Sequence, residues 1–188
     1  MSNSFDTYLY RLINQTLSAS WLDPIMFYFS DKLFWIPLYC VVIWFIIKNF
    51  KKKTLLILIC FGIIVVAADR ITSGILKPAF KRERPCHIAE LTPRSVEGVY
   101  CSDTGSMPSS HAANHFAIAI FIVLLYGFKN RRLVLFWIGW ATVIAYSRVY
   151  LGVHYPTDVL VGAAIGSIIG VLVFIGYRKL ENKIKWLS

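Results

Sequence analysis

Five long apolar runs, at residues 33–47, 54–68, 112–128, 133–151 and 159–177, limit this chain to folds that can embed that much hydrocarbon. A bilayer crossing takes roughly 20 apolar residues, with a lower limit near about 17. The first run reaches that length only with Phe29 and Ser30 before it or Lys48 to Phe50 after it. The second keeps its helical pattern to Leu76 only by taking in Asp69 and Arg70. Charged residues make up 16% of the chain, well below the quarter or so of a soluble domain. The pattern predicts a single all-α integral membrane domain over residues 1–188, with five transmembrane helices.

The segment before the runs has a different character. Phe5, Tyr8, Leu9, Leu12, Ile13 and Thr16 recur at helical spacing. Asp23-Pro24 reads as a helix start with Pro at the first position. This predicts an amphipathic N-terminal helical segment lying in the interface; a sixth crossing is the competing reading. The first thirty residues lack the basic start and apolar core of a cleavable signal peptide.

A net charge of +10 raises the question of nucleic acid. The basic residues, however, gather at the ends of apolar runs, as loop charges of membrane proteins do. Lys48, Lys51, Lys52 and Lys53 follow the first run; Lys129, Arg131 and Arg132 follow the third; Arg178, Lys179, Lys183 and Lys185 follow the fifth. Parity puts all three groups on one face, the cytoplasmic one by the positive-inside trend. The opposite face, periplasmic or extracellular, then carries the N-terminus, the loop 77–110 and the turn 147–158. That loop holds Lys77, Lys81, Arg82, Arg84 and Arg94 against the trend. A phosphate-binding role explains the excess.

Three short strings lie on that same face. They are Lys77-x6-Arg84-Pro85, Pro108-Ser109-Ser110-His111 and Ser147-Arg148-x5-His154-x3-Asp158. Ser109 or Ser110 is a natural N-cap for the third helix, whose free N–H groups would suit an anion. A phosphoryl group in transfer spreads charge over its equatorial oxygens, so catalysis is mostly positioning and electrostatics. Lys77, Arg84 and Arg148 supply the cations, the two Arg as bidentate forks. Each alone would read as a snorkelling interfacial side chain; jointly, at these spacings, they read as an anion site. Asp158 can accept from one ring nitrogen of His154 and leave the other free to attack. Pro156 between them rules out a shared regular helical turn as the basis of that pairing. His111 can protonate a leaving oxygen and later activate water.

These strings resemble the type 2 phosphatidic acid phosphatase superfamily, the lipid phosphate phosphatases, whose pattern is K-x6-RP, PSGH and SR-x5-H-x3-D. The first and third parts match in full over residues 77–158; Ser110 stands where the family has Gly. The resemblance implies phosphate binding by Lys77, Arg84, Arg148, Ser109 and the backbone at Ser110 and His111. It implies His154 as the nucleophile of a phosphohistidine, Asp158 as its orienting carboxylate, His111 as the acid, and no metal. Ser tolerates positive φ less well than Gly but offers a hydroxyl. Implied substrates are lipid A 1-phosphate, phosphatidylglycerophosphate or undecaprenyl diphosphate, met in the inner membrane with the site on its outer face. The implied partners are thus a lipid phosphate and the bilayer, not nucleic acid, with no oligomeric state specified. A carrier that merely binds phosphate between helices would need the cations but not both histidines and the Asp.

Cys86 and Cys101 frame the loop and would pair on an oxidising face, or stay free thiols on the other. Cys40 and Cys60 read as core packing. Asp69 and Arg70 read as functional charges or as an ion pair to a neighbouring helix. His115, one turn past His111, has no third metal ligand near it in sequence. Gly162, Gly166 and Gly170, four apart, predict close helix packing within the molecule. Trp35, Trp137 and Trp140 read as belt or lipid-facing groups.

Overall fold

The computed structural model describes residues 4–94, 96–128 and 130–184, and every described regular element is helical. Lys129 and Lys185, counted above among the basic loop residues, lie outside the described residues. The chain begins with α1 (Ser4–Arg11), which runs on as a π-helical turn over Leu12–Thr16. The second helix, α2 (Asp23–Ser30), has Pro24 in its first turn, where the missing N–H costs nothing. A longer helix, α3 (Ile36–Phe50), ends at Lys51, whose φ of 44° stops it.

The next helix, α4 (Thr54–Asp69), widens into a π-helical stretch over Arg70–Leu76 and closes as α5 (Lys77–Phe80). Three long helices follow: α6 (Ser110–Tyr126), α7 (Arg131–Tyr150) and α8 (Pro156–Lys183). Among the described residues three stretches are long and apolar enough to cross a membrane: Leu33–Phe80, Arg131–Tyr150 and Pro156–Lys183. The 17-residue α6 is apolar but shorter. Leu33–Phe80 is not one rod. Val42 and Phe61 share a hydrophobic cluster, whereas a straight helix would hold them about 28 Å apart. The chain therefore folds back at Lys51–Lys53, and α3 and α4 form a hairpin.

The bundle centres on α6, which α4, α7 and α8 surround. Its tightest neighbour is α8. A Cβ on Gly166 would stand 2.1 Å from the Ala113 carbonyl oxygen, and one on Gly162 2.4 Å from that of Ser109. Backbone thus lies on backbone, which only glycine permits. The outward faces of the helices are apolar and exposed, as Val41, Trp44, Leu55, Ile59, Leu135, Leu160 and Ile168 show. Such a girdle suits a lipid surround.

Two expectations are corrected. Trp137 and Trp140 do not face lipid; both are buried, and Trp35 meets Trp140 edge-on at 5.8 Å between ring centres. Their side of α7 faces α6 and α3, where aromatic area fills the interhelical space. Of the two cysteines assigned to packing, Cys60 is buried but Cys40 is exposed.

The two ends of the bundle differ in charge. Lys53 pairs with Glu181 at 2.9 Å and Phe50 packs on Tyr126, so the α3–α4 turn and the last turns of α6 and α8 share one end. The opposite end collects α5, the start of α6, the end of α7 and the start of α8. Here the N-terminal segment docks. It is amphipathic, with Phe5, Tyr8, Leu17 and Trp21 exposed. Its other side is buried on protein: Asn14 donates to the Tyr150 carbonyl at 2.7 Å and accepts from the Arg94 N–H at 3.0 Å.

Candidate active site

The local geometry of each motif follows from how its helix starts or stops. Ser109 caps α6, its Oγ accepting from the Ala112 N–H at 3.5 Å. Its own N–H donates to the Asp158 carbonyl at 2.9 Å, which ties the start of α6 to the first turn of α8. Pro156 opens α8. His154 therefore stands in the turn before the helix and Asp158 in its first turn. Lys81, at φ 47°, ends α5 and sends the chain into the loop. There Cys86 and Cys101 are joined by a disulfide, and the Ser106 N–H donates to the Arg82 carbonyl at 2.8 Å.

Lys77, Arg84, Ser110, His111, Arg148 and His154 line one cavity of about 860 Å³. Arg84 is almost wholly buried. Its Nε donates to the Thr104 carbonyl at 2.8 Å and Nη1 to the Val153 carbonyl at 3.0 Å. Nη1 also lies 3.2 Å from His154 Nε2. A guanidinium can only donate, so Nε2 is the unprotonated nitrogen and the proton of the neutral ring sits on Nδ1. Burial foremost, then the charges of Arg84, Arg148 and Lys77, hold the His154 imidazole well below its ordinary pKa. The ring is neutral near pH 7, with its lone pair at the cation cluster.

The expected hydrogen bond from His154 to Asp158 is not formed. Nδ1 is 3.4 Å from Asp158 Oδ2 and is buried without a hydrogen-bond partner. The carboxylate is already engaged: Oδ2 accepts from the Tyr155 N–H at 2.8 Å, and Oδ1 from Arg82 Nη1 at 2.7 Å. It stands close enough to stabilise a positive ring electrostatically.

The remaining site residues divide into two kinds. Arg148 donates to Ser30 Oγ while its Nε is buried without a partner. Lys77 lies in the cavity wall with no direct hydrogen bond or ion pair among the described residues. The His111 carbonyl accepts from His115 Nδ1 at 2.7 Å, and the buried His115 packs edge-on to Trp140 while lining the inner wall of the same cavity. Two hydroxyls behave differently from expectation. Ser109 is fully buried as a cap and does not line the cavity. Ser110 does, but its Oγ is bonded to Thr72 Oγ1 at 2.8 Å and to Ser73 Oγ at 2.9 Å.

Arg82 was visible in the sequence only as one of the loop cations. In the structure it is a hub. Its Nη1 reaches Thr157 and Asp158, its Nη2 reaches Asp6, and its guanidinium lies 3.9 Å above the Tyr155 ring centre. Asp6 also accepts from the Thr157 N–H at 3.0 Å. The excess charge of the loop was the one available signal for Arg82. Nothing local marks Asp6, whose partner is 76 residues away.

Fold and site together define an all-helical membrane protein built around a cavity lined by Lys77, Arg84 and Arg148, with the buried His154 Nε2 facing Arg84. The chain belongs to the PAP2 superfamily, whose model matches residues 63–181. It is a phosphatase of that superfamily. A lipid A 4′-phosphatase of Bacteroides thetaiotaomicron is 35% identical over 97% of this chain and 81% of its own length. The crystal structure of Aquifex aeolicus LpxE superposes with a TM-score of 0.65 at 27% identity, covering 92% of this chain and 96% of that one. A PAP2-type phosphatidylglycerolphosphate phosphatase from Bacillus subtilis gives 0.64 at 26% identity, over 96% of this chain and 86% of that one.

Proposed function

We propose that this chain hydrolyses a phosphate or diphosphate from a membrane lipid through a phosphohistidine. The observation that carries this reading is the continuity of the cavity. One end holds Lys77, Arg84, Arg148, His111 and His154; the same space runs between helices past Val42, Leu58, Phe61 and Ile118. A phosphate at the cationic end would place an attached hydrocarbon chain along the apolar end.

In the first step His154 Nε2 attacks phosphorus and the P–O bond to the lipid breaks. The bound anion favours a protonated His111, which gives its proton to the departing oxygen. Lys77, Arg84 and Arg148 hold the equatorial oxygens while charge redistributes. Asp158 steadies the positive ring through the 3.4 Å contact. In the second step His111 takes a proton from water, whose oxygen attacks phosphorus. The P–N bond breaks, phosphate leaves, and the His154 lone pair is restored.

Five crossings fit this chemistry. The α3–α4 hairpin supplies two, α6 a third, and α7 and α8 the others, with α1 and α2 at the surface. The basic end would then face the cytoplasm and the site the outer face of the inner membrane, where a Cys86–Cys101 disulfide is stable. Among substrates, lipid A at either phosphate, phosphatidylglycerophosphate and undecaprenyl diphosphate all meet the chemical requirement. The relatives acting on the lipid A 4′-phosphate favour a phosphorylated amino-sugar lipid.

The test is phosphate release from these three lipids by purified protein in detergent, with and without chelator. His154→Ala is expected to abolish release and leave thermal unfolding unchanged. Release by that variant at the normal rate refutes the nucleophile. Lipid binding with no release by the unaltered protein favours a carrier.

A further inference from the structure

We propose that Asp69 is a specificity residue that accepts a hydrogen bond from a donor on the substrate between its phosphate and its acyl chains, and so selects sugar-linked lipid phosphates over prenyl phosphates. The inference rests on the function proposed above and refines its substrate class.

Leu58, Phe61, Val65, Asp69, Ser73 and Lys77 all line the cavity. They fall three or four residues apart, so they form one stripe down a single helical face. The stripe is graded: a cation at the mouth, a hydroxyl and a carboxylate in the middle, and three apolar side chains beyond. Eight residues, through the π-helical stretch, separate Asp69 from Lys77, so the two stand about two turns apart. Asp69 thus stands at the level where a lipid held by its phosphate at Lys77 changes from headgroup to hydrocarbon.

Asp69 is exposed and lines the cavity. Its one direct partner among the described residues is Ser73, whose Oγ donates to Oδ1 at 3.2 Å. A carboxylate in a helix of membrane-spanning length is costly and calls for a role; Arg70 follows it in sequence, and no step of the hydrolysis uses this carboxylate. It is also wired to the position where the chain departs from the family pattern. Ser73 Oγ lies 2.9 Å from Ser110 Oγ, and Ser110 adjoins His111 at the start of α6. A glycine at 110 could not make that contact, so the hydroxyl ladder Thr72–Ser110–Ser73 and Asp69 form one polar patch beside the phosphate end.

Ligand chemistry follows from the patch. A prenyl chain offers only hydrocarbon to Asp69, and would bury the carboxylate unpaired. A second anion at this level, such as the phosphodiester of phosphatidylglycerophosphate, would meet a like charge. An acylated amino sugar presents neutral hydroxyl and amide donors there. The site accordingly favours the last of these.

Steady-state phosphate release by the full chain in detergent micelles tests this with two probes, lipid A and farnesyl diphosphate. Asp69→Ala is expected to lower kcat/KM on lipid A about tenfold or more, the worth of a hydrogen bond to a charged group. It should leave farnesyl diphosphate turnover unchanged or raise it. Asp69→Asn, which keeps an acceptor, should recover part of the loss on lipid A. An equal fall on both probes, no change on either, or a preference of the unaltered protein for farnesyl diphosphate overturns the assignment. His154→Ala assayed in parallel separates the two levels. If it retains activity, the underlying site is wrong. If it is inactive while Asp69→Ala leaves the substrate ratio unmoved, only the role of Asp69 falls.

Discussion

The two halves of the site are built on opposite plans. Behind His154, Asp158, Arg82, Asp6 and Thr157 saturate one another, and Arg82 is held on the Tyr155 ring. In front, Lys77 has no direct partner, the Arg148 Nε is buried without one, and the His111 imidazole makes no hydrogen bond among the described residues. Buried polar groups are normally satisfied, so the front half carries more donors than the protein itself pairs, which is what the proposed phosphate binding would use. In the back half Asp158, Asp6 and Arg82 are bonded to one another and to the backbone beforehand, while His154 Nδ1 beside them is buried without a partner. The bonded groups thus gather at the α7–α8 turn with its N-terminal buttress, and the cations with unpaired donors come from α5 and the last turn of α7.

The contrast can be broken in four ways. Removing a donor from the open half should cost most: Arg148→Ala is expected to lower kcat on lipid phosphate about 10²–10³-fold. A loss below tenfold would mean that this side does not hold the phosphoryl group. In the saturated half, Arg82→Gln and Asp6→Asn should lower kcat up to about 10²-fold through misplacement, with KM unmoved and Asp6→Glu restoring part. A rise in KM alone would instead put Arg82 in contact with substrate.

A smaller effect is expected where the two halves are joined. Gly166→Ala forces a Cβ onto the Ala113 carbonyl and should destabilise by about 1–3 kcal/mol, the usual range for overpacking, read as a lower unfolding temperature in detergent. The smallest is a shift in pH dependence. His154 must be unprotonated to attack, and its pKa lies well below the ordinary value. Activity should therefore persist on acidification past about pH 6.5, the ordinary histidine value, before it falls. Arg84→Gln removes a nearby cation and should move that acidic limb upward. A limb that stays in place would detach the titration from His154.

Much of this was readable before any coordinates. The lengths of the apolar runs and the basic residues between them locate the helix ends, and parity then brings Lys77, His111, Arg148 and His154 to one side. The disposition of Gly162 and Gly166 was also legible, since small residues four apart make a flat helical face. Other features were not. Trp137 and Trp140 have the composition of an interfacial belt, and only the rotation of α7 against α6 buries them. Ser110 promised a hydroxyl to the phosphate, but Thr72 and Ser73 claim it across the interhelical gap.

The division has a physical basis. Hydrophobic run length and charge placement are properties of neighbours along the chain, and these alone determined a helical membrane protein; that Lys77, His111, Arg148 and His154 share one cavity is seen in the structure. Which oxygen of Asp158 faces His154, which guanidinium braces it, and that Asp6 on the first helix closes the network depend on side chains meeting from distant elements. Such meetings obey packing and hydrogen-bond geometry in three dimensions, and only the tertiary structure could decide them.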